Sequence, residues 1–236
     1  MPQVTSRYSV IGEKNPREIV LLRGSGCVWR SCRFCDYHLD FSSDQNENFE
    51  INRVELEKIT GKFGRLEVIN SGSFVDLDSW TMEKISQSCI DKAIRQIHFE
   101  SHWMHRSEIK ALRRSFREIG VDVKMKIGVE TFDVDFRENV LLKGMGEVLP
   151  TEIAEYFDEC CLLFGITGQT EASMRKDIET GFRYFERVCV NIMQENTAPL
   201  KPDREIVSLF KKKILSEISS NVRIDVLLEN DEFGVY

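Results

Sequence analysis

The sequence lacks the features of a membrane protein, an exported protein or a protein that grips a nucleic-acid backbone. No apolar run approaches the length of a membrane span, and residues 1–15 contain no apolar signal core. Lys and Arg (32) are outnumbered by Asp and Glu (39), which gives a formal net charge of −7 and a pI near 5.3. Nucleic-acid-binding domains usually carry a basic excess. We therefore expect a cytoplasmic protein that acts on a small molecule, with no membrane partner and no nucleic-acid partner.

The chain also lacks low-complexity tracts, long linkers and internal repeats. Its 236 residues, 42% of them hydrophobic, are enough to bury a core without covalent staples. We therefore predict one domain over residues 1–236, with a core at about 17–195 and a C-terminal helix and strand in 203–236.

Three of the seven cysteines lie close together, because Cys27, Cys32 and Cys35 follow the spacing C-x4-C-x2-C. A reducing cytosol disfavours a disulfide framework and favours metal binding or catalysis. With His38, the three cysteines would complete a tetrahedral Cys3His zinc site. Alone, they would leave one iron of an iron–sulfur cluster open to a ligand. The spacing therefore leaves a zinc site and an iron–sulfur site as the two alternatives.

The other four cysteines lie on apolar helix or strand patterns, where cysteine is usually a buried small hydrophobic residue. They are Cys89, Cys160, Cys161 and Cys189.

Short apolar runs alternate along the chain with amphipathic stretches. The runs predict strands over 17–23, 66–72, 96–101, 121–130, 160–167 and 188–194, with a last apolar stretch at 223–230. Apolar residues at i, i+3 and i+4 predict helices near 53–62, 78–93, 106–119, 151–158, 170–186 and 203–219. Gly120 stands where the third of these helices should end. The alternation predicts an α/β fold with a parallel sheet, either open or a partial barrel, because six units are too few for a closed eight-stranded barrel.

Polar residues follow the predicted strands, at the end of a parallel sheet where ligands bind. The cysteine-rich segment follows the first strand, and five further polar segments follow the later ones. These segments are 70–73, 100–102, 130–131, 167–169 and 194–196.

The cysteine segment, with Phe34 directly before its last cysteine, resembles the radical S-adenosylmethionine (SAM) enzymes. Their usual spacing is C-x3-C-x2-C, so this sequence has one extra residue in the first gap. Three more segments resemble motifs of that family, in the family's order: NSGSF (70–74), IGVET (127–131) and ITGQTE (166–171). Phe164 stands where the last motif normally begins with glycine. The resemblance covers about residues 17–195 and implies a partial (β/α)6 barrel of the radical SAM type.

The resemblance implies two cofactors. In that family the three cysteines, here Cys27, Cys32 and Cys35, ligate a 4Fe–4S cluster, and SAM chelates the fourth iron. Reduction by a flavodoxin or ferredoxin then cleaves SAM and generates a 5′-deoxyadenosyl radical. The residues that the resemblance assigns to the SAM site are Phe34, Tyr37, Asn70, Ser71, Gly72, Ser73, Glu130, Ile166 and Gly168. No catalytic acid or base is assigned.

The order NSGSF, HFES, IGVET and LLKGMG (141–146) is similar to one branch of the family. That branch includes the archaeosine synthase radical subunit, elongator-type tRNA-modifying enzymes and queuine lyases. Within that branch, the acidic charge and compact length disfavour tRNA as the substrate. The resemblance then implies a free 7-deazaguanine base, most of all queuine, whose cleavage releases 7-aminomethyl-7-deazaguanine. A radical SAM tRNA-modifying enzyme is the alternative, and a zinc-stabilised binding module is the second. The candidate substrate-binding residues are Asp36, Asp76, Glu100, His102, Asn191, Gln194 and Glu195.

Overall fold

The computed structural model describes residues 6–229, and eight strands and seven α-helices lie within them. The strands are β1 (Tyr8–Ile11), β2 (Arg17–Leu22), β3 (Arg65–Asn70), β4 (Gln96–Glu100), β5 (Asp122–Glu130), β6 (Glu159–Phe164), β7 (Arg187–Ile192) and β8 (Ile224–Leu227). The helices are α1 (Gln45–Leu56), α2 (Ser79–Asp91), α3 (Ile109–Glu118), α4 (Pro150–Ala154), α5 (Glu171–Tyr184), α6 (Arg204–Lys213) and α7 (Leu215–Ile218). No helix among residues 6–229 combines the length and the apolar character needed to cross a membrane.

One compact unit contains the described residues up to Val28 together with Tyr37–Lys126. In it β1 pairs antiparallel with β2, and β2, β3, β4 and the start of β5 run parallel in chain order. The register sets Glu67 of β3 opposite Ile19 of β2 and opposite His98 of β4. Because parallel strands end at the same edge, the loops after β2, β3 and β4 lie along one edge of this unit.

A second compact unit contains Trp29–Asp36 together with the described residues from Ile127 onward. Here β6, β7 and β8 run parallel in chain order, with Leu163 opposite Asn191. Every residue of β6 is buried, as expected of a parallel strand that is covered on both faces. The loops after β6 and β7 share one edge of this unit for the same reason as in the first.

Buried aromatic pairs join helices to strands in both units. Phe99 of β4 meets Phe116 of α3 with ring centroids 5.5 Å apart, and Phe164 of β6 lies 5.6 Å from Phe210 of α6. All four rings are buried. Burying one such side chain is worth about 1.5–3 kcal/mol, so these contacts fix the helices against the strands.

Helix α1 begins earlier than the sequence predicted, because its buried face is polar. The prediction was 53–62, whereas the helix begins at Gln45, after Asp44 caps its first turn by accepting from the Asn46 nitrogen at 2.9 Å. The buried Asn52 accepts from the Arg23 nitrogen at 2.7 Å and donates to the Arg23 oxygen at 2.8 Å. Such a face has no apolar periodicity, so the sequence pattern does not reveal the first turns of α1. The helix also ends at Leu56, before the predicted end at 62.

The other predicted elements are found, with some boundaries corrected. The predicted helix 106–119 begins at Ile109, after a 3₁₀ helix at Trp103–Glu108, and ends before Gly120, which has a φ of +76° as a helix-terminating glycine should. The predicted helix 203–219 is two helices that meet at Ile214, and the predicted helix 151–158 is the short α4. Strand β1 was not predicted.

Part of the predicted domain lies outside the described residues. The last apolar stretch, 223–230, forms β8, but Asn230 is outside residues 6–229, as are 1–5 and 231–236.

Candidate functional site

The loop after β3 is folded around Asp76. Oδ2 of Asp76 accepts a hydrogen bond from the Ser73 nitrogen at 2.6 Å, and its backbone oxygen accepts from the Ser25 nitrogen at 2.9 Å. A Cβ placed on Gly72 would stand 2.2 Å from Asp76 Oδ2 and 3.1 Å from the Cα of Cys27. Gly72 is therefore required for the close approach of this loop to the first cysteine. Asp76, predicted to bind substrate, has a structural role in the same loop.

Asn70, at the end of β3, has a buried acceptor without a partner among the described residues. Its Nδ2 donates to the Ser73 oxygen at 2.9 Å, but its Oδ1 is buried and receives no hydrogen bond. Leaving a buried acceptor unsatisfied costs about 1–3 kcal/mol. An ammonium or hydroxyl donor of a ligand would remove that cost, so Asn70 fits the predicted SAM site.

The two serines of the predicted SAM site bind other loops of the first unit. Ser71 Oγ donates to the Asp40 oxygen at 2.5 Å, and Ser73 Oγ accepts from the His102 nitrogen at 2.9 Å. His102 also accepts from the Met104 nitrogen through Nδ1 at 3.3 Å, which caps the 3₁₀ helix after β4. The Ser71 hydroxyl thus joins the loop after β3 to the loop after β2, and the Ser73 hydroxyl joins it to the loop after β4.

Glu100, predicted to bind substrate, lies at the end of a row of buried charges in the first unit. Lys126 Nζ is 3.9 Å from Glu100 Oε1 and contacts Glu67 directly, and Glu67 also pairs with Arg17. Burial disfavours the charged form of Glu67, but the adjacent Lys126 and Arg17 hold the pKa of its carboxyl well below the usual range. Glu100 keeps 29% of its side chain exposed, so this carboxylate is the accessible end of the row.

In the second unit, the 141–146 loop lies against the cysteine segment. Trp29 Nε1 donates to the Leu142 oxygen at 2.8 Å. Gly144 has a φ of +71°, and a Cβ there would stand 2.1 Å from the Trp29 ring. The indole therefore packs directly on the backbone of the LLKGMG motif, which explains both the glycine and its position.

Glu130, the last residue of β5, forms a buried ion pair that the sequence did not reveal. Lys143 Nζ lies 2.7 Å from Glu130 Oε1, and a Cβ on Gly128 would stand 2.4 Å from the same oxygen. Burial opposes the charge on Lys143, but the negative charges of Glu130, Cys32 and Cys35 raise its pKa above the ordinary value. The Lys143 ammonium group thus forms a buried ion pair with the Glu130 carboxylate.

Two residues of the predicted SAM site lie in one apolar cluster of the second unit. Ile166 is buried in that cluster, and Phe34 packs against it. Gly168 has a φ of +98°, and a Cβ there would meet the Phe136 ring at 3.1 Å. The other buried members of the cluster are Leu141, Leu163 and Met193.

Gln169, which lies in the predicted polar segment 167–169 but not among the predicted SAM-site residues, closes the loop after β6. Its Oε1 accepts from the nitrogens of Gly165 and Ile166 at 2.9 and 3.0 Å, and its Nε2 donates to the Leu163 oxygen at 2.7 Å. One buried amide thus satisfies three backbone groups of a loop that the resemblance assigns to SAM.

The segment after β7 holds the cysteine segment from the other side. Asp36 Oδ2 accepts from the Thr197 nitrogen and from Thr197 Oγ1, both at 2.9 Å, and Asn196 Nδ2 donates to the Phe34 oxygen at 2.8 Å. Asp36, predicted to bind substrate, therefore has Thr197 as its partner. Asn196 lies in the predicted polar segment 194–196, but no local sequence signal predicts its contact or that of Thr197, because their partners are far away along the chain.

The remaining substrate candidates differ in their surroundings. Gln194 donates to the Leu228 oxygen at 2.8 Å and is engaged with the backbone. Glu195 has 73% of its side chain exposed. Asn191, half-buried on β7, accepts from the Cys189 thiol at 3.7 Å. Of these three, Asn191 is the one that is half-buried and whose side chain makes no hydrogen bond to the backbone among the described residues.

All seven cysteines lie within residues 6–229, and no disulfide forms there. Cys27, Cys32 and Cys35 are half-buried thiols, His38 is half-buried, and Tyr37 is exposed. Within the same residues, no group of three or more Cys, His, Asp or Glu side chains is arranged to hold a metal ion. The cluster ligands therefore remain a prediction from the spacing and from the affinity of thiolates for iron–sulfur clusters.

Three of the other four cysteines are buried as predicted, and burial raises the pKa of the Cys89 thiol to about 12. Cys189 is the exception, because it lies half-buried beside a polar side chain. The buried ones are Cys89, Cys160 and Cys161.

Comparison with known proteins gives one strong likeness. A queuine lyase from Clostridium spiroforme, solved bound to SAM and queuine, matches this chain with a TM-score of 0.92 and 43% sequence identity, over 98% of each chain. A GH99 endo-alpha-mannosidase from Bacteriodes thetaiotaomicron has a TM-score of 0.39 and 12% identity, over 92% of this chain and 84% of that one, which is too weak a likeness to bear on the fold. No family model and no curated protein matches the chain.

Identity of 43% along nearly the whole of both chains confirms three predictions made from the sequence. The fold is the predicted α/β partial barrel of the radical SAM type, the chain is an enzyme, and its likeness is to the predicted queuine-lyase branch. The two alternatives, a tRNA-modifying enzyme and a zinc-stabilised module, are not favoured. The chain belongs to the queuine lyase family of radical SAM enzymes.

Proposed function

We propose that this chain is a radical SAM lyase that cleaves queuine and releases 7-aminomethyl-7-deazaguanine. The observation that carries the proposal is the match to a queuine lyase bound to SAM and queuine, at 43% identity over 98% of each chain. The polar motifs predicted to bind cofactor and substrate also end strands within each compact unit, where α/β enzymes bind their ligands.

Cys27, Cys32 and Cys35 are the proposed ligands of a 4Fe–4S cluster. Their support is the donor chemistry, since three thiols that are each partly accessible suit iron–sulfur ligation. The bound cluster and SAM supply a 5′-deoxyadenosyl radical by reductive cleavage of the sulfonium.

The proposed SAM site uses three kinds of side chain. Asn70 offers its unsatisfied Oδ1 to a donor such as the methionine ammonium group. Glu130 offers a carboxylate to the ribose hydroxyl groups, and Phe34 with Ile166 offers an apolar surface to the adenine ring. Gly72 allows the backbone to approach the ligand without a side chain in between. Tyr37, Ser71, Ser73 and Gly168 complete the proposed set.

Glu100 is the first choice among the proposed substrate ligands. A deazaguanine edge donates hydrogen bonds, and the secondary amine of queuine is cationic at neutral pH, so a carboxylate suits either end. Glu100 is partly exposed, whereas Asp36, Asp76 and Gln194 each hold backbone groups. His102, Asn191 and Glu195 remain further proposed contacts.

We further propose a cytoplasmic location, with a flavodoxin or ferredoxin as the electron donor. A formal net charge of −7 gives no long-range attraction to a polyanion, so nucleic acid is not the proposed substrate.

The test is anaerobic reconstitution with iron and sulfide, followed by dithionite, SAM and one of three compounds: queuine, guanine or unmodified tRNA. Mass spectrometry should detect 5′-deoxyadenosine and 7-aminomethyl-7-deazaguanine with queuine only. Turnover of tRNA without turnover of queuine would move the activity to the tRNA-modifying class. A colourless protein that does not consume SAM would contradict the radical mechanism.

A further inference from the structure

Glu130 is in an unfavourable backbone conformation that the surrounding residues maintain. Its φ is +68°, in the left-handed region, which is unfavourable for a non-glycine residue. The next residues are held by Asp177 of α5, which accepts from the Phe132 nitrogen at 2.7 Å. Strain maintained in this way at a strand end is a common property of functional residues.

The Glu130 carboxylate has one oxygen engaged and one available. Lys143 Nζ lies 2.7 Å from Oε1, and among the described residues no side chain or backbone group bonds to Oε2. Glu130 is buried, with 6% of the residue exposed, so bulk water does little to orient its carboxylate. Lys143 therefore decides how this carboxylate faces a ligand.

Lys143 is itself held in place by the loop that carries it. The Leu142 oxygen accepts from Trp29 Nε1 at 2.8 Å, and the Leu141 oxygen accepts from the Arg33 nitrogen at 3.0 Å. Its ammonium group lies 5.6 Å from the centroid of the Phe34 ring. All of these contacts are made to the cysteine segment, so the position of Lys143 is tied to the position of Cys32 and its neighbours.

We infer that Lys143 is a positioning residue of the SAM site, which fixes the Glu130 carboxylate for the ribose. The inference rests on the proposed function, because it assigns a role within the cofactor site of that reaction. It adds a residue outside the sequence-predicted site, and it explains why the LLKGMG loop packs on the cysteine segment.

The test measures SAM binding to the reconstituted holoenzyme by calorimetry, with the spectrum of the reduced cluster as a second readout. Lys143→Met should weaken SAM binding by about tenfold or more, the loss expected for a charged hydrogen bond. Lys143→Arg should keep the affinity within about threefold, since it retains the charge. The matched control is Lys58→Met, which removes a surface lysine paired with Glu55 at 2.6 Å and should leave SAM affinity unchanged.

A double-mutant cycle separates positioning from independent contacts. If Lys143 acts through Glu130, then Glu130→Gln and the double variant should bind SAM about as weakly as Lys143→Met alone. With the reduced cluster, the spectral change on adding SAM should need about tenfold or more SAM in Lys143→Met than in the wild type, and within about threefold of the wild-type concentration in Lys143→Arg.

Each outcome decides the inference. Wild-type affinity in Lys143→Met, or strictly additive losses in the cycle, would overturn it. If Lys143→Met does not fold or does not hold its cluster, the SAM affinities of Lys143→Arg and Glu130→Gln are compared instead. Equal SAM affinities in these two variants would overturn the inference. Failure of the wild-type holoenzyme to bind SAM would instead contradict the proposed function.

Discussion

The Asp177 carboxylate on α5 accepts a hydrogen bond from the Phe132 backbone nitrogen at 2.7 Å, two residues after the strained Glu130. Burial raises the pKa of Asp177 from 3.8 to about 6, although the hydrogen bonds from Phe132 and Thr131 oppose this rise. A buried acid thus supports the turn that presents the proposed ribose ligand.

This carboxyl should make folding stability depend on pH. Its pKa is higher in the folded than in the unfolded chain, so its stabilising effect is complete below about pH 4 and is lost as the pH rises through about 6. The rise in pKa from 3.8 to about 6 corresponds to about 3 kcal/mol. Asp177→Asn should remove this fall in urea-unfolding free energy between pH 4 and 6. The exposed Asp91→Asn should leave it in place, and an unchanged slope in Asp177→Asn would contradict the assignment.

Gly72→Val should weaken SAM binding by about a hundredfold or more, because the new side chain would enter the space of Asp76 and Cys27. Calorimetry of SAM against the reconstituted protein measures the effect. Gly12→Val is the matched control, since a Cβ there meets nothing within 4 Å. SAM affinity that survives in Gly72→Val would argue against the close approach proposed at this loop.

Cys32→Ala should abolish both the cluster absorption and the formation of 5′-deoxyadenosine, since two thiolates are too few to hold the cluster. Cys89→Ala, which changes a buried thiol on α2, should retain the cluster. His38→Ala should also retain its iron and its colour. Loss of bound metal in His38→Ala, with zinc in the wild type, would instead favour the Cys3His alternative.

Glu100→Gln should weaken queuine binding by about tenfold or more and leave SAM binding unchanged, because one charged hydrogen bond is worth about 1.5–3 kcal/mol. Titration of queuine into the SAM-loaded protein measures the change. Glu83→Gln on α2, an exposed position, serves as the control. Equal losses of queuine and SAM affinity would indicate a structural role for Glu100 in the charge row with Lys126.

The sequence predicted the strands well because buried parallel strands are continuous apolar runs, as in β6. It predicted α1 poorly because Asn48 and Asn52 form its buried face in place of apolar residues. Polar side chains at these positions leave no apolar periodicity, and their partner Arg23 lies in the loop after β2, far from α1 along the chain.

The site was predictable where a motif is local and not where it joins distant segments. The NSGSF motif alone was enough to assign Gly72 to the predicted SAM site. The role inferred for Lys143 depends on Glu130, Trp29 and Phe34, which lie on other segments. The row of buried charges that contains Glu67 and Lys126 is visible in the sequence as charged residues inside apolar strand runs. Only the strand register, with Glu100 opposite Lys126, shows that these two side chains are neighbours.

The hydrogen bonds made by Gln169 order the proposed adenine-binding surface before SAM binds. Because its amide already satisfies Gly165, Ile166 and Leu163, the loop after β6 is ordered without any ligand. In the proposed site, the nucleotide end of SAM would therefore meet a surface whose conformational entropy was lost during folding and not during association. A chain without that amide would lose the same entropy on binding, and its affinity for SAM would be weaker for that reason.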